Sequence, residues 1–200
     1  MKTESATKDT YSRLVQSAMD LLWEKSYQAA SVEDLCARAG ARKGSFYHFF
    51  SSKSELAVTA IRESWRQVKE GVFEPVFSSS LSGLSQLRLF TEKMYEFQLS
   101  AMSRGGSFLG CPFGNLGQEM AHLDEDLRQL LQELFNEQCA YFAGALRKAE
   151  AAGEIAGGDA TVRARNIFAF LEGSLLLAKV ANDPAIFKAS LPIVLALAVA

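Results

Sequence analysis

Residues 31–53, SVEDLCARAGARKGSFYHFFSSK, constrain this chain more than any other stretch. Ser31 and Asp34 have the spacing of a capping box, in which a hydroxyl accepts an orphan helix N–H and a carboxylate reaches back. Val32, Leu35, Cys36 and Ala39 then recur at helical spacing and make one apolar face. Gly40 follows where a helix stops and its C′ residue takes a positive φ. A second helix begins near Ala41 or Arg42. Phe46, Phe49 and Phe50 anchor it, leaving Arg42, Lys43, Ser45, Tyr47 and His48 on its other faces. Ser52 and Glu55 repeat the capping box, so a third helix starts there. Two short helices joined by a glycine turn read as a helix-turn-helix, which lays its second helix in the DNA major groove.

That motif assigns roles. Arg42, Lys43 and Ser45, at the start of the second helix, are the expected readers of base edges. An arginine bridging guanine O6 and N7 gives about 1–3 kcal/mol of discrimination. Gly44 lets the backbone approach the DNA, and Ser31, at the head of the preceding helix, is also expected to contact it. Tyr47, His48 and Lys53 fit phosphates, which position a domain without reading sequence. A core-facing role for Tyr47 or His48 is the alternative. Lys53 falls in the first turn of the third helix, where a cation opposes the helix dipole, so it is expected to serve a group outside that helix.

With those residues in place, the segment from Tyr11 to Leu56 resembles the N-terminal domain of the TetR/AcrR transcriptional repressors. The match runs through Arg13, Leu14, Ala18, Leu21 and Leu22, then Ser31 to Cys36, Ala39-Gly40, Lys43 to Phe50, Ser52-Lys53 and Glu55-Leu56. Ala41-Arg42 departs from the usual Val-Ser or Val-Thr, which bears on the bases read, and Ser26 stands where a glycine is common. The resemblance implies a bacterial, cytoplasmic homodimer that binds a palindromic double-stranded operator. It also implies a small-molecule effector in the C-terminal domain and similar phosphate roles for Tyr47, His48 and Lys53. A helix-turn-helix protein-interaction module, or a helical enzyme without operator binding, is the competing reading.

Bulk properties agree with an all-α chain. Two hundred residues that are 48% apolar suffice for a core, and four prolines with no alternating pattern leave helices as the simplest reading. Net charge is only −2, but residues 1–54 carry 8 basic against 6 acidic side chains and the remainder 13 against 17. The case for nucleic acid therefore rests on placement rather than bulk charge. The polar stretch Met1 to Thr10 is unlike a signal peptide, and the longest apolar run, Leu191 to Ala200, is far short of the ~20 residues that span a bilayer.

About nine helices are expected: Thr7 to Lys25, the three just described with the last running from Ser54 to Val72, Leu84 to Met102, Pro112 to His122, Asp124 to Ala152, Asp159 or Thr161 to Ala181, and Pro184 to Val199. Pro75 and Ser78 to Ser80 mark the end of the fourth. The division falls into a DNA-binding domain, 1–53, and an effector-binding and dimerisation domain, 54–200. The acidic Asp124-Glu125-Asp126 triplet suits a helix N-terminus and needs no metal. The last two helices are apolar on more than one face, beyond what one buried stripe explains. Phe170, Leu171, Leu175, Ile193 and Leu197 are therefore expected at a two-fold interface.

In Gly110-Cys111-Pro112, proline suits the first helical position, so Cys111 is the expected N-cap. A thiolate there faces unpaired N–H groups and the positive end of the dipole, conditions that lower a cysteine pKa. Arg104 upstream would add to this. The stretch resembles a branch of TetR-family repressors whose cysteine responds to electrophiles and oxidants; a small buried hydrophobe is the plainer account. Cys36 and Cys139 read as packing. The family's ligand cavity would be lined by Phe97, Phe108, Phe113, Tyr141 and Phe168, with Phe90, Phe135, Phe142, Phe170 and Tyr95 nearby. His48 and His122 make no triad or metal cluster, and Gly105-Gly106 completes no phosphate loop. Neither catalysis nor a cofactor is expected.

Overall fold

A computed structural model describes residues 2–199 of the chain, with side chains from Asp9 onward; the earlier side chains of the polar Met1 to Thr10 stretch lie outside the described residues. The helices are α1 (Lys2–Glu24), α2 (Val32–Ala39), α3 (Lys43–Phe49), α4 (Lys53–Val68), α5 (Glu74–Phe77), α6 (Gly83–Gly105), α7 (Pro112–Met120), α8 (Glu125–Ala151), α9 (Ala160–Ala181) and α10 (Pro184–Val199). A π-helical turn, Lys69–Phe73, fuses α4 to α5. Nine separate rods result, with no strand among the described residues.

The fused rod departs from expectation: it runs through Pro75 to Phe77. A proline ring collides with the carbonyl four residues back, here that of Gly71. The wider π turn holds that carbonyl and absorbs the conflict.

The chain divides into two compact units. The first runs to Gln67 and takes in Pro112–Leu131; the second is Val68–Cys111 with everything from Gln132 on. The division is thus discontinuous, unlike the expected cut between 53 and 54. In the first unit, Leu14, Ala18 and Leu21 of α1 close on Leu35, Cys36 and Ala39 of α2, Phe46 and Phe50 of α3, and Leu56 and Ala60 of α4. Burying each large side chain of this set contributes about 1.5–3 kcal/mol.

The capping reads as the sequence asks. Ser31 Oγ accepts the Asp34 N–H at 3.0 Å, while the Asp34 carboxylate accepts the Ser31 N–H at 3.0 Å. Gly40 takes φ 58°, and the Ala41 N–H bonds back to Cys36 O at 2.9 Å, closing a Schellman turn. Arg13 fixes this corner by donating to Ala39 O at 2.9 Å. At α4 the box is offset by one residue: Ser52 Oγ accepts the Glu55 N–H, but the Glu55 carboxylate reaches the N–H and hydroxyl of Ser51.

In the second unit, α6 and α8 approach closely at Gly83. Farther along the same pair, Phe90 packs edge-on to Phe142 with ring centroids 5.0 Å apart. Helix α10 packs on α9 and α6. Asp159 caps α9, accepting the N–H groups of Thr161 and Val162. No helix among the described residues is long and apolar enough to cross a membrane.

Candidate DNA interface and sensor site

Helix α3 buries Phe46 completely and Phe50 almost so. That fixes its rotation and turns Arg42, Lys43, Gly44, Tyr47 and His48 outward, with Ser45 half-buried. Tyr47 is 55% exposed, so a core role is ruled out for it. Arg42 is the N-cap residue of α3 and spends no side-chain bond on the cap. A Cβ at Gly44 would meet nothing within 4 Å, leaving the helix backbone open to an approaching surface. Lys43 is paired with Glu33, which holds its proton more tightly than an ordinary lysine does. Both partners are exposed, so the pair is weak and exchangeable for a phosphate.

Lys53 is placed differently from expectation. Its Nζ donates to Tyr27 O at 3.0 Å and Ala30 O at 3.1 Å, and sits 4.1 Å from the Tyr27 ring centroid. The cation serves a group outside its own helix, the α1–α2 connection. Burial pushes its pKa down. Ser31 is likewise committed, to its capping box.

The same connection is held from its other side by a residue far along the chain. The Glu119 carboxylate of α7 accepts the N–H groups of Tyr27 and Gln28, both at 2.8 Å. Just beyond, Asp124 accepts the Ser54 hydroxyl and the Leu127 N–H, so the acidic triplet both caps α8 and ties down the start of α4. Glu119 carried no sequence signal, because its partners are backbone groups more than 90 residues away. Glu119→Ala should lower stability by about 1–3 kcal/mol, since two charge-assisted bonds go and the N–H of the buried Tyr27 is orphaned. A urea melt reads this; an unchanged midpoint would remove Glu119 from the account.

Cys111 sits half-buried at the end of a loop pinned at several points. The Phe108 N–H donates to Asn182 Oδ1 at 2.8 Å, and its buried ring lies 6.4 Å from that of Phe187. Gly110 takes φ 71°, so a side chain there is strained even though a Cβ would meet the Lys179 stem only at ordinary contact distance, 3.4 Å. Gln98 Nε2 donates to Gly110 O at 3.1 Å. Burial pushes the Glu172 carboxyl pKa up, with the Cys111 thiol acting against the shift. Arg104 instead reaches Ser100 on its own helix. Burial raises the thiol pKa of both Cys36 and Cys139, which suits packing.

The aromatics expected around one cavity make the following contacts. Phe108 is in the loop core, Phe113 is buried in the first unit edge-on to Trp65, Phe168 packs on Phe135, and Phe97 is half-buried on α6. Aromatic composition alone could not separate core from pocket. Tyr141 lines a groove of about 780 Å³ together with Glu74, Phe77, Gln86, Glu137 and Lys148. Among the described residues no group of three or more His, Cys, Asp or Glu is placed to hold a metal.

Residues 14–60 match the family described as bacterial regulatory proteins, tetR family. Residues 83–192 match the tetracyclin repressor-like, C-terminal domain. The chain belongs to the TetR family of transcriptional regulators. The transcriptional regulator AcuR of Cereibacter sphaeroides is 33% identical over 172 residues, covering 86% of this chain and 77% of AcuR. The crystal structure of regulatory protein TetR from Rhodobacter sphaeroides superposes with a TM-score of 0.83 at 30% identity, covering 94% of this chain and 98% of that one. The reduced form of Escherichia coli NemR shares the fold, with a TM-score of 0.80 at 22% identity and coverage of 93% and 95%.

This TetR-family chain leaves an apolar face outward on its last two helices. Val162, Leu176, Leu177 and Val180 of α9 and Ile193 and Val199 of α10 are exposed, interleaved with exposed Ala169, Gly173, Ala189 and Ala196. Leu177 is 62% and Val180 79% exposed. Of the residues expected at an interface, Ile193 is on this face, while Phe170 and Leu197 are half-buried at its edge. Leu171 and Leu175 turn the other way, 6% and 4% exposed, into the core of their own chain. Apolar residues on more than one face leave the inward side open in the sequence, and only the folded chain shows it.

Proposed function

We propose that this TetR-family regulator is a homodimeric repressor that leaves a palindromic operator when an electrophile or oxidant modifies Cys111. The observation that carries this reading is the position of the cysteine in the chain. It directly precedes α7, the helix whose Glu119 holds the turn between α1 and α2. A covalent change at Cys111 that displaces the start of α7 would act on that turn and so on the recognition helix. The apolar face of α9 and α10 supplies the second copy, and the two recognition helices would address half-sites about 34–36 Å apart. The mechanism is a population shift: modification favours a conformation whose two α3 helices no longer match that spacing. The groove beside Tyr141 supports a second reading, in which a noncovalent ligand biases the same equilibrium.

Fluorescence anisotropy with DNA from the chain's own upstream region tests the first part. Tight binding that weakens steeply with salt is expected, because phosphate contacts release counterions; no binding at low salt would end the repressor reading. Mild electrophile treatment should then release the operator from the native protein and leave Cys111→Ser bound, with mass spectrometry locating the adduct. Release from Cys111→Ser on treatment would instead move the trigger away from this cysteine.

A further inference from the structure

Glu33 lies outside the set of expected base readers, yet its carboxylate touches one of them. It is the second residue of α2, where half-buried Val32 and buried Leu35 and Cys36 turn it outward. Its Oε1 accepts from Lys43 Nζ across the turn, and the Lys43 and Glu33 side chains are 56% and 65% exposed. The corner fixes this meeting: Gly40 closes the turn in the left-handed region, and Arg13 donates to Ala39 O.

Neighbouring charges are spent inside the protein. The Asp34 carboxylate accepts the N–H and hydroxyl of Ser31, and Arg38 donates to Glu24 at 2.8 Å. Lys43 and Glu33 instead meet in the open, beside the outward-facing Arg42 and Gly44. The Lys43 bond, helped by the residue's own N–H, holds the Glu33 pKa below the usual carboxylate range. Glu33 is therefore an ionised acceptor at neutral pH.

An ammonium and a carboxylate in contact present a donor beside an acceptor. The major-groove edge of a G·C pair presents the complement. Guanine N7 and O6 accept, and cytosine N4, hydrogen-bonded to that same O6, keeps a second N–H to donate. A reversed C·G pair sets the carboxylate against guanine acceptors, and an A·T pair places the adenine N6 amine between its two acceptors.

We propose that Glu33 is a specificity-determining residue, which with Lys43 reads one G·C base pair in each half-site. Lys43 donates to guanine N7 and O6 while Glu33 accepts from cytosine N4. This rests on the operator-binding reading and is independent of what triggers release. The contact keeps both ions partnered as water leaves the interface, where either alone would be desolvated unpaired. The rival arrangement sends Lys43 to a phosphate. Glu33 then faces the DNA as an uncompensated negative charge, which weakens binding to every sequence alike.

Selection from a pool of random duplexes by the whole chain, read by sequencing, gives the base preference at every operator position. Wild type should enrich a palindrome with one G·C pair per half-site that depends on both charges. Glu33→Ala should lose about five- to a hundredfold of preference there, the usual worth of one base pair, and keep it elsewhere. Lys43→Ala should relax the same base pair, a coincidence that a merely structural role does not produce. Glu33→Gln, which keeps the size of the side chain, should shift that position toward A·T, since glutamine pairs with adenine N6 and N7. Unchanged preferences in Glu33→Ala overturn the assignment, and tighter binding to all sequences would then place Lys43 on a phosphate. Relaxation of different base pairs by Glu33→Ala and Lys43→Ala overturns it as well. If wild type enriches no sequence at all, the operator reading falls and takes the assignment with it.

Discussion

With Leu177→Glu and Val180→Glu combined, the chain should stay folded, run as a monomer, and lose at least about a hundredfold in operator affinity. Both side chains project from α9 into solvent, so neither contributes to the core of its own chain. In a two-fold assembly they would meet their counterparts, where glutamates would have to be desolvated without a partner. The affinity loss follows from valency: joining two half-site contacts makes the second intramolecular, an advantage of about 10²–10⁴. Light scattering after size exclusion reads the mass, and anisotropy reads the affinity. A dimer that survives both changes would place the interface elsewhere. Leu175→Glu is the informative control, since it puts a charge into the protomer's core and should abolish folding rather than association.

Gly83→Ala should be the most destabilising single methyl in the second unit. A Cβ there would lie 2.0 Å from Ala145 O and 2.7 Å from Ala149 N. Both are backbone atoms of α8, so no side chain can rotate away and the two helices must separate. Overpacking typically costs about 1–3 kcal/mol, and a backbone collision of this kind belongs at or above the top of that range. A urea melt should show the midpoint falling, with the second unit lost first. Gly144, on the same α8, has open space around its Cβ position, so Gly144→Ala should be neutral or stabilising by up to about 1 kcal/mol. Equal behaviour of the two variants would mean that α6 and α8 are farther apart than described.

What the sequence disclosed divides along the range of the interactions involved. Ser31, Asp34, Gly40 and Phe46 act within a few residues of themselves, and their pattern reads directly as a helix-turn-helix. Lys53 was legible as a cation out of place for its own helix. Its partners, Tyr27 O and Ala30 O, lie 26 and 23 residues back, and only the folded chain brings them within reach. Glu119 is the extreme case, an ordinary glutamate among helical neighbours. Leu171 and Leu175 against Leu177 and Val180 show a different limit. All four are apolar on a helix with apolar residues on more than one face, so hydrophobic periodicity cannot choose which of them face inward. For Cys111, its proline neighbour pointed to the residue, but the bonds from Gln98 and Asn182 that pin its loop come from distant helices and leave no sequence pattern.

The discontinuous first unit bears on how the protein is made. Tyr27 and Gln28 emerge from the ribosome roughly 90 residues before Glu119, and at about 5–20 residues per second that leaves them unsatisfied for several seconds. The DNA-reading half therefore cannot finish folding first, although it comes first in the chain. It waits for a stretch of polypeptide that has already passed through the sensor. A gene fusion cut after α4 would carry the reader away without the segment that completes it.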